Sequence, residues 1–109
     1  MNRALLTRSL EREGHRVTSA ADGREALRSL REDPVDVVLL DIVMPRRNGY
    51  EILRAIRRDA RTRATPIVLV SSKNQESDRA WGKKQGADEY LSKPFTSDQL
   101  LSVVSRFAR

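Results

Sequence analysis

The segment that decides the fold is VDVVLLDIVMPRRNGYEILRAIR, residues 35–57. Its first six residues are almost all apolar and rich in valine, which is typical of a strand buried on both faces of a parallel sheet. Asp41 follows that strand directly, and the proline and glycine after it indicate a loop. Residues 50–58 then carry apolar side chains at helical spacing. A strand, a loop and a helix in this order predict one unit of an α/β fold.

The same alternation continues on both sides of this segment. Strands are predicted at residues 15–20 (HRVTSA), 35–40 (VDVVLL), 66–72 (PIVLVSS) and 89–92 (EYLS), and helices at residues 4–13, 23–31, 50–58, 75–85 and from 97 onward. Four strands that alternate with helices predict a parallel sheet covered by helices on both faces. The chain begins inside a helix, whereas a doubly wound unit normally begins with a strand.

The composition of the chain excludes several classes of protein. Its 109 residues fit one domain, which we expect to cover residues 1–109. The absence of cysteine excludes disulfides and thiolate metal sites, and the single histidine, His15, excludes a histidine-pair metal site. No apolar run reaches the length of a membrane span, and the first residues lack the core of a signal peptide. We therefore expect a cytoplasmic protein with no membrane contact.

The formal net charge of +6 has two interpretations. It is compatible with attraction to nucleic acid or another acidic partner, or with arginines spread over solvated faces. The arginines are scattered along the chain, without interleaved aromatic residues and without a helix-turn-helix signature. This distribution favours the second interpretation, and we expect no direct DNA binding.

Three polar residues follow three predicted strands, at the point where each strand ends. They are Asp41, Ser71 and Lys93. Sites of open α/β sheets form at the carboxyl ends of the strands, so these side chains should converge. A carboxylate can attack a phosphoryl group, while an ammonium and a hydroxyl can bind the oxygens on which negative charge develops.

Each of the three residues also has a plain structural interpretation. Asp41 could cap the turn that follows it, Ser71 could bond to local backbone, and Lys93 could be solvated. Each of these interpretations would be preferred if the residue stood alone. Their occurrence at successive strand ends favours a shared site.

Four segments together carry a resemblance to a known family. They are ADGREAL at 21–27, VVLLDIVMPRRNGYEILRAIR at 37–57, PIVLVSS at 66–72 and GADEYLSKPF at 86–95. These segments resemble the second-helix start, phosphoacceptor block, fourth strand and Lys-Pro block of response-regulator receiver domains, which have a flavodoxin-like doubly wound fold. Residues 71–95 look most like the chemotaxis-type single-domain receivers of twitching-motility and phototaxis systems.

The resemblance implies a role for each residue at the strand ends. Asp41 would accept a phosphoryl group from a sensor histidine kinase, so the chain would be a phosphoacceptor and not a turnover enzyme. Lys93 would pair with a phosphoryl oxygen, and its peptide bond to Pro94 would be cis. Ser71 would move to bond the phosphoryl group, and Tyr90 would turn inward behind it. Without the family, Tyr90 would be interpreted as a half-buried strand aromatic.

The resemblance also implies an output surface. It would be built from the helix at 75–85, the strand at 89–92 and the last helix, and a downstream protein would read it. The alternative is a phosphorylation-independent interaction module that keeps this surface but has no competent metal site.

Receivers normally begin with an apolar strand that ends in an acidic pair, which holds Mg²⁺ beside the phosphoacceptor. This chain matches the family only from the helix after that strand. Asp41 and the backbone carbonyl of Val43 would remain as metal ligands, while Asp22 and Asp36 would not replace the acidic pair. Mg²⁺ needs several oxygen ligands, so we expect weak or absent binding and slow autophosphorylation.

Three explanations for the missing strand are open: a start assigned to an internal methionine, a truncated chain, or a natural short receiver. The first is favoured. In receiver domains, counted by the family's own strands, the sheet order is 2-1-3-4-5, and the first strand, which is missing here, is central. The remaining four strands would therefore expose edges. Exposed edges invite pairing with another chain, and a homodimer is one expected outcome.

Overall fold

The computed structural model describes residues 3–20, 22–44 and 47–108. The chain order is α1 (Arg3–Arg12), α2 (Gly23–Glu32), β1 (Val38–Asp41), β2 (Val43–Met44), β3 (Arg47–Asn48), α3 (Gly49–Arg58), β4 (Ile67–Ser71), α4 (Glu76–Lys84), β5 (Glu89–Ser92) and α5 (Ser97–Ser105). The predicted alternation of strands and helices holds from β1 to α5. Helices α3 and α4 are also within two residues of their predicted limits, and α5 begins at the predicted residue.

Among the described residues, the main sheet has three parallel strands in the order β1-β4-β5. Asp41 lies opposite Val70, and Ser71 lies opposite Ser92. Since the strands are parallel and end in register, their carboxyl ends lie along one edge of the sheet. The short strands β2 and β3 form a separate antiparallel ribbon in the predicted loop after Asp41.

The prediction of a strand at residues 15–20 is wrong, and the described part of the chain forms a parallel sheet of three strands where four were expected. The segment has suitable composition, and its Val17 packs partly buried against the core. A strand also needs a neighbour for its N–H and C=O groups. Within the described residues β1 is an edge strand that pairs with β4 alone, so residues 15–20 have no ladder to join.

Each face of the sheet carries its own apolar core. One core contains Leu30, Leu40, Ile42, Ile52, Leu53, Ile56, Ile67, Leu69, Ala87 and Tyr90. The other contains Leu10, Val68, Val70, Leu91, Phe95, Leu100, Val103 and Val104. Alternate residues of β4 contribute to opposite cores, as the period of two along a strand requires. The sheet is therefore covered on one side by α2, α3 and α4 and on the other by α1 and α5, which is the flavodoxin-like α/β fold.

Side-chain caps fix the starts of two helices where the sequence predicted them. Asp22 Oδ1 accepts a hydrogen bond of 2.9 Å from Glu25 N at the start of α2. At α5, Thr96 Oγ1 accepts from Gln99 N (3.1 Å), while Gln99 Oε1 accepts from Thr96 N (2.8 Å). Such caps satisfy backbone donors that the first helical turn leaves unpaired.

Arg57 joins three segments at the end of the sheet opposite Asp41. Its Nε and Nη2 donate to the carbonyl of Gly86 at 2.9 and 2.8 Å. Its Nη1 donates to the carbonyls of Arg63 and Thr65, both at 2.7 Å. Its Nη2 also lies 2.9 Å from Asp88 Oδ2. The planar guanidinium thereby ties α3 to the loops that lead into β4 and β5.

Candidate functional site

Asp41 and Lys93 meet at the carboxyl edge of the sheet. Lys93 Nζ donates to Asp41 Oδ2 at 2.9 Å. The side chains of Asp41 and Lys93 are 38% and 35% exposed, so the pair is open to solvent. The structure thus brings together two of the three residues selected at the strand ends, because β1 and β5 both flank β4 in register.

Ser71 lies on the same edge but is only 1% exposed. Its Oγ accepts a hydrogen bond of 3.1 Å from the backbone N–H of Lys73. Its carbonyl oxygen accepts one of 2.7 Å from the backbone N–H of Lys93. The end of β4 is therefore bonded directly to the residue that supplies the ammonium. The Lys93–Pro94 peptide bond is cis.

Gly49 holds the start of α3 against Asp41. A Cβ at this position would lie 2.4 Å from the Asp41 carbonyl oxygen and 2.7 Å from Ile42 Cα. The Gly49 N–H also donates to the Ile42 carbonyl at 2.8 Å. Sequence reasoning treated this glycine as a loop marker only. Its place directly before the helix predicted after Asp41 was the signal that could have identified it as part of the site.

Tyr90 is 2% exposed, and its hydroxyl donates to the Lys73 carbonyl at 2.8 Å. Ser71 and Tyr90 therefore bond the N–H and the C=O of the same residue. Tyr50, at the start of α3, lies in the same region: partial burial raises the pKa of its phenol, and Tyr90 and Asp78 add to that rise. Sequence reasoning missed the link through Lys73, because it uses main-chain atoms.

Glu89 lies between α4 and α5 on the predicted output surface. Its carboxylate is 3.6 Å from Lys83 Nζ and 3.0 Å from Arg106 Nη2. Partial burial raises the pKa of Glu89, but the Tyr90 N–H and the two cations outweigh burial and bring the pKa below its ordinary value. Glu89 is thus ionised at neutral pH and links both helices to β5.

The described residues supply few ligands for Mg²⁺. They include no group of three or more His, Cys, Asp or Glu side chains that could hold a metal ion. Asp22 caps α2, and Asp36 precedes the start of β1, at the other end of the strand from Asp41. Val43, the source of the expected carbonyl ligand, lies in β2. Mg²⁺ usually binds near-octahedral oxygen sets, so the described residues alone do not complete a magnesium site.

A parallel α/β sheet with an aspartate and a lysine paired at its carboxyl edge is the arrangement of a signal-receiving domain. The sequence model described as the response regulator receiver domain matches residues 1–105, and the chain belongs to this family. It is a receiver domain of the two-component type. Receiver domains are phosphoacceptors, generally bind Mg²⁺, and interact with histidine kinases and downstream targets.

Three similar proteins place the chain within the family. Protein PilH of Pseudomonas aeruginosa is 44% identical over 100 residues, covering 92% of this chain and 83% of PilH. The chemotaxis protein CheY4 of Vibrio cholerae has a TM-score of 0.87 at 33% identity, covering 96% of this chain and 88% of that one. The receiver domain of the sensor histidine kinase PA1611 of P. aeruginosa, with magnesium coordinated in its active-site cleft, has a TM-score of 0.86 at 32% identity, with coverage of 97% and 87%.

The chain spans less than half the length of the transcriptional regulatory proteins that it also matches. Within the described residues, no helix has the length and apolar character needed to cross a membrane.

Proposed function

We propose that this chain is a cytoplasmic response regulator that accepts a phosphoryl group on Asp41 from the phosphohistidine of a sensor kinase. The observation that carries the proposal is the 2.9 Å contact between Lys93 Nζ and Asp41 Oδ2 at the carboxyl edge of the sheet. It places a nucleophilic carboxylate beside a cation that can bind a phosphoryl oxygen. The resemblance of the surrounding segments to the phosphoacceptor block supports the same assignment.

The transfer can be written with the residues of this chain. A carboxylate oxygen of Asp41 attacks phosphorus, and the P–N bond to the kinase imidazole breaks as the new P–O bond forms. The imidazole leaves with the bonding electrons and takes a proton from water. The Lys93 ammonium then offsets negative charge on the phosphoryl oxygens. Since Asp41 is more than one third exposed, a phosphohistidine can approach it without prior opening of the core.

The signal would leave the domain through the surface of α4, β5 and α5. In this proposal the Ser71 hydroxyl leaves Lys73 N and donates to a phosphoryl oxygen, and Tyr90 packs behind it. The Lys73 backbone is hydrogen-bonded to both residues, so a shift of Ser71 would move Lys73 and change its hydrogen bond to the Tyr90 hydroxyl on β5. A downstream protein then distinguishes the two forms of this surface.

Intact-mass measurement after incubation with acetyl phosphate and Mg²⁺ tests the proposal. We expect a mass increase of one phosphoryl group that Asp41→Asn abolishes and Asp36→Asn leaves unchanged. Asp36 is a matched control because it is an exposed carboxylate beyond the other end of β1. No adduct at any Mg²⁺ concentration, in this chain and in a version extended by an apolar strand ending in two acids, would contradict the proposal.

A second candidate is an interaction module that works without phosphorylation. The small set of metal ligands among the described residues favours it, because phosphoryl transfer in this family uses Mg²⁺. This module would bind its partner equally well as wild type and as Asp41→Asn, with or without acetyl phosphate. A partner affinity that changes with phosphorylation would exclude it.

We also propose that β1 can pair with a strand of a second copy. Within the described residues β1 pairs on one side only, and an open strand edge is a template for another chain. Sedimentation velocity over a range of concentrations tests this. A monomer at all concentrations would contradict it.

A further inference from the structure

We propose that Arg79 is a positioning residue that holds Tyr90 in its buried orientation and so controls how readily the surface of α4, β5 and α5 can change. The inference deepens the proposed function, since it takes Tyr90 as the residue that connects this surface to Asp41. Arg79 lies on the polar helix α4 and is exposed. From the amino-acid sequence alone it would be interpreted as an ordinary solvated arginine.

Arg79 makes three contacts with β5. Its guanidinium carbon lies 5.5 Å from the centre of the Tyr90 ring, within the range of a cation–π interaction. Its Nη1 donates to the Tyr90 carbonyl at 3.2 Å, and its Nη2 donates to Ser92 Oγ at 2.8 Å. The planar group is held at both ends and therefore stays over the ring.

The α4 backbone at Gly82 and the Lys73 carbonyl also contact Tyr90. A Cβ at Gly82 of α4 would lie 3.0 Å from Tyr90 Cδ2 and 2.9 Å from Leu69 Cδ1, so the helix backbone contacts the ring closely. The hydroxyl is bonded to the Lys73 carbonyl. Among these contacts, Arg79 is the one side chain that reaches the Tyr90 ring from solvent. It is therefore the contact that a substitution can remove.

Outward rotation of Tyr90 must break its hydroxyl bond to Lys73 and slide the ring from under the guanidinium. The hydroxyl can exchange Lys73 for water at little net cost. Hydration of the exposed guanidinium replaces the cation–π contact only in part. The Arg79 bonds to the Tyr90 carbonyl and Ser92 Oγ fix the guanidinium itself. Arg79 thus favours the buried orientation and limits the response of Tyr90 to events at Asp41.

Fluorine NMR of protein labelled with 3-fluorotyrosine measures the Tyr90 orientation directly. The chain has two tyrosines, so a Tyr50→Phe sample assigns the Tyr90 resonance. Arg79→Ala is compared with Lys84→Ala, which removes one positive charge from an exposed position of the same helix. Exposure is read as line broadening by a soluble paramagnetic agent, and a thermal melt checks that each variant is folded.

We expect Arg79→Ala to raise the exposed population of Tyr90 about threefold to fivefold, the effect of losing one cation–π contact at an exposed position. Lys84→Ala should match wild type. Arg79→Lys keeps the charge but not the two-pronged donor, and it should give an intermediate exposure; it serves as the test variant if Arg79→Ala does not fold. Equal protection of Tyr90 in wild type and the folded Arg79 variant would overturn the proposal.

This measurement needs no phosphorylation, so it separates the two proposals. A failure to phosphorylate Asp41 would remove the proposed function and leave the Tyr90 comparison intact. If Asp41 is phosphorylated, the Tyr90 resonance should shift further on phosphorylation in Arg79→Ala than in wild type. An equal shift in both proteins would show that Arg79 does not control the response and would also overturn the inference.

Discussion

Replacing Gly49 by alanine tests whether the start of α3 fixes the position of Asp41. The added Cβ would lie 2.4 Å from the Asp41 carbonyl oxygen and 2.7 Å from Ile42 Cα. Both atoms are backbone, so no side chain can rotate away. Overpacking costs up to about 3 kcal/mol in such cases, while alanine regains at most about 1 kcal/mol of helix preference. We expect the free energy of unfolding to fall by about 2 kcal/mol and the melting temperature by roughly 10 °C.

Urea unfolding followed by circular dichroism measures that loss, and the rate of Asp41 phosphorylation by acetyl phosphate measures its local effect. The comparison variant is Gly82→Ala, where the new Cβ meets side-chain atoms of Leu69 and Tyr90 that can shift. Gly49→Ala should lose more stability, and it alone should slow phosphorylation at temperatures where both variants are folded. A Gly49→Ala protein as stable as wild type would show that α3 can move away from Asp41, and it would refute the reasoning.

Three other outcomes are expected. Arg57→Ala should lower the free energy of unfolding by about 2–4 kcal/mol, because several hydrogen bonds to backbone carbonyls are lost. The control Arg58→Ala, at the neighbouring exposed position, should change it by less than about 0.5 kcal/mol. Equal losses of the two variants in urea melts would contradict this. The lowered pKa of Glu89 adds stability that is present above its ordinary value of 4.5 and is lost as pH falls through the folded pKa. Glu89→Gln should therefore flatten the decline of the urea midpoint at acid pH, and an unchanged decline would exclude this role. Lys93→Ala should slow phosphorylation by acetyl phosphate about a hundredfold, as for loss of one charge-stabilising donor; an unchanged rate would remove Lys93 from the site.

The sequence predicted the features that depend on local pattern. The continuous apolar run of β4 indicated burial on both faces, and all five of its residues are buried. Once the strands were known to be parallel, Asp41, Ser71 and Lys93 had to lie on one edge. Strand formation at residues 15–20 could not be predicted in this way, because a strand also depends on a neighbour elsewhere in the chain.

The contacts around Asp41 and Tyr90 could not be predicted from the local sequence pattern, for a related reason. Gly49 is required by the close approach of two backbones, and the spacing of apolar residues carries no information about that distance. Arg79 lies in a polar helix, where an arginine is usually solvated. Its position over Tyr90 results from the packing of α4 on β5, which only the tertiary structure shows.

The link between Ser71 and Tyr90 passes through the backbone of Lys73, and its side chain is exposed. Every amino acid except proline supplies the same N–H and C=O at this position. The side chain at position 73 can therefore vary during evolution without breaking the connection between the two residues. A substitution at position 73 therefore changes the exposed surface there while the two main-chain hydrogen bonds to Ser71 and Tyr90 are kept.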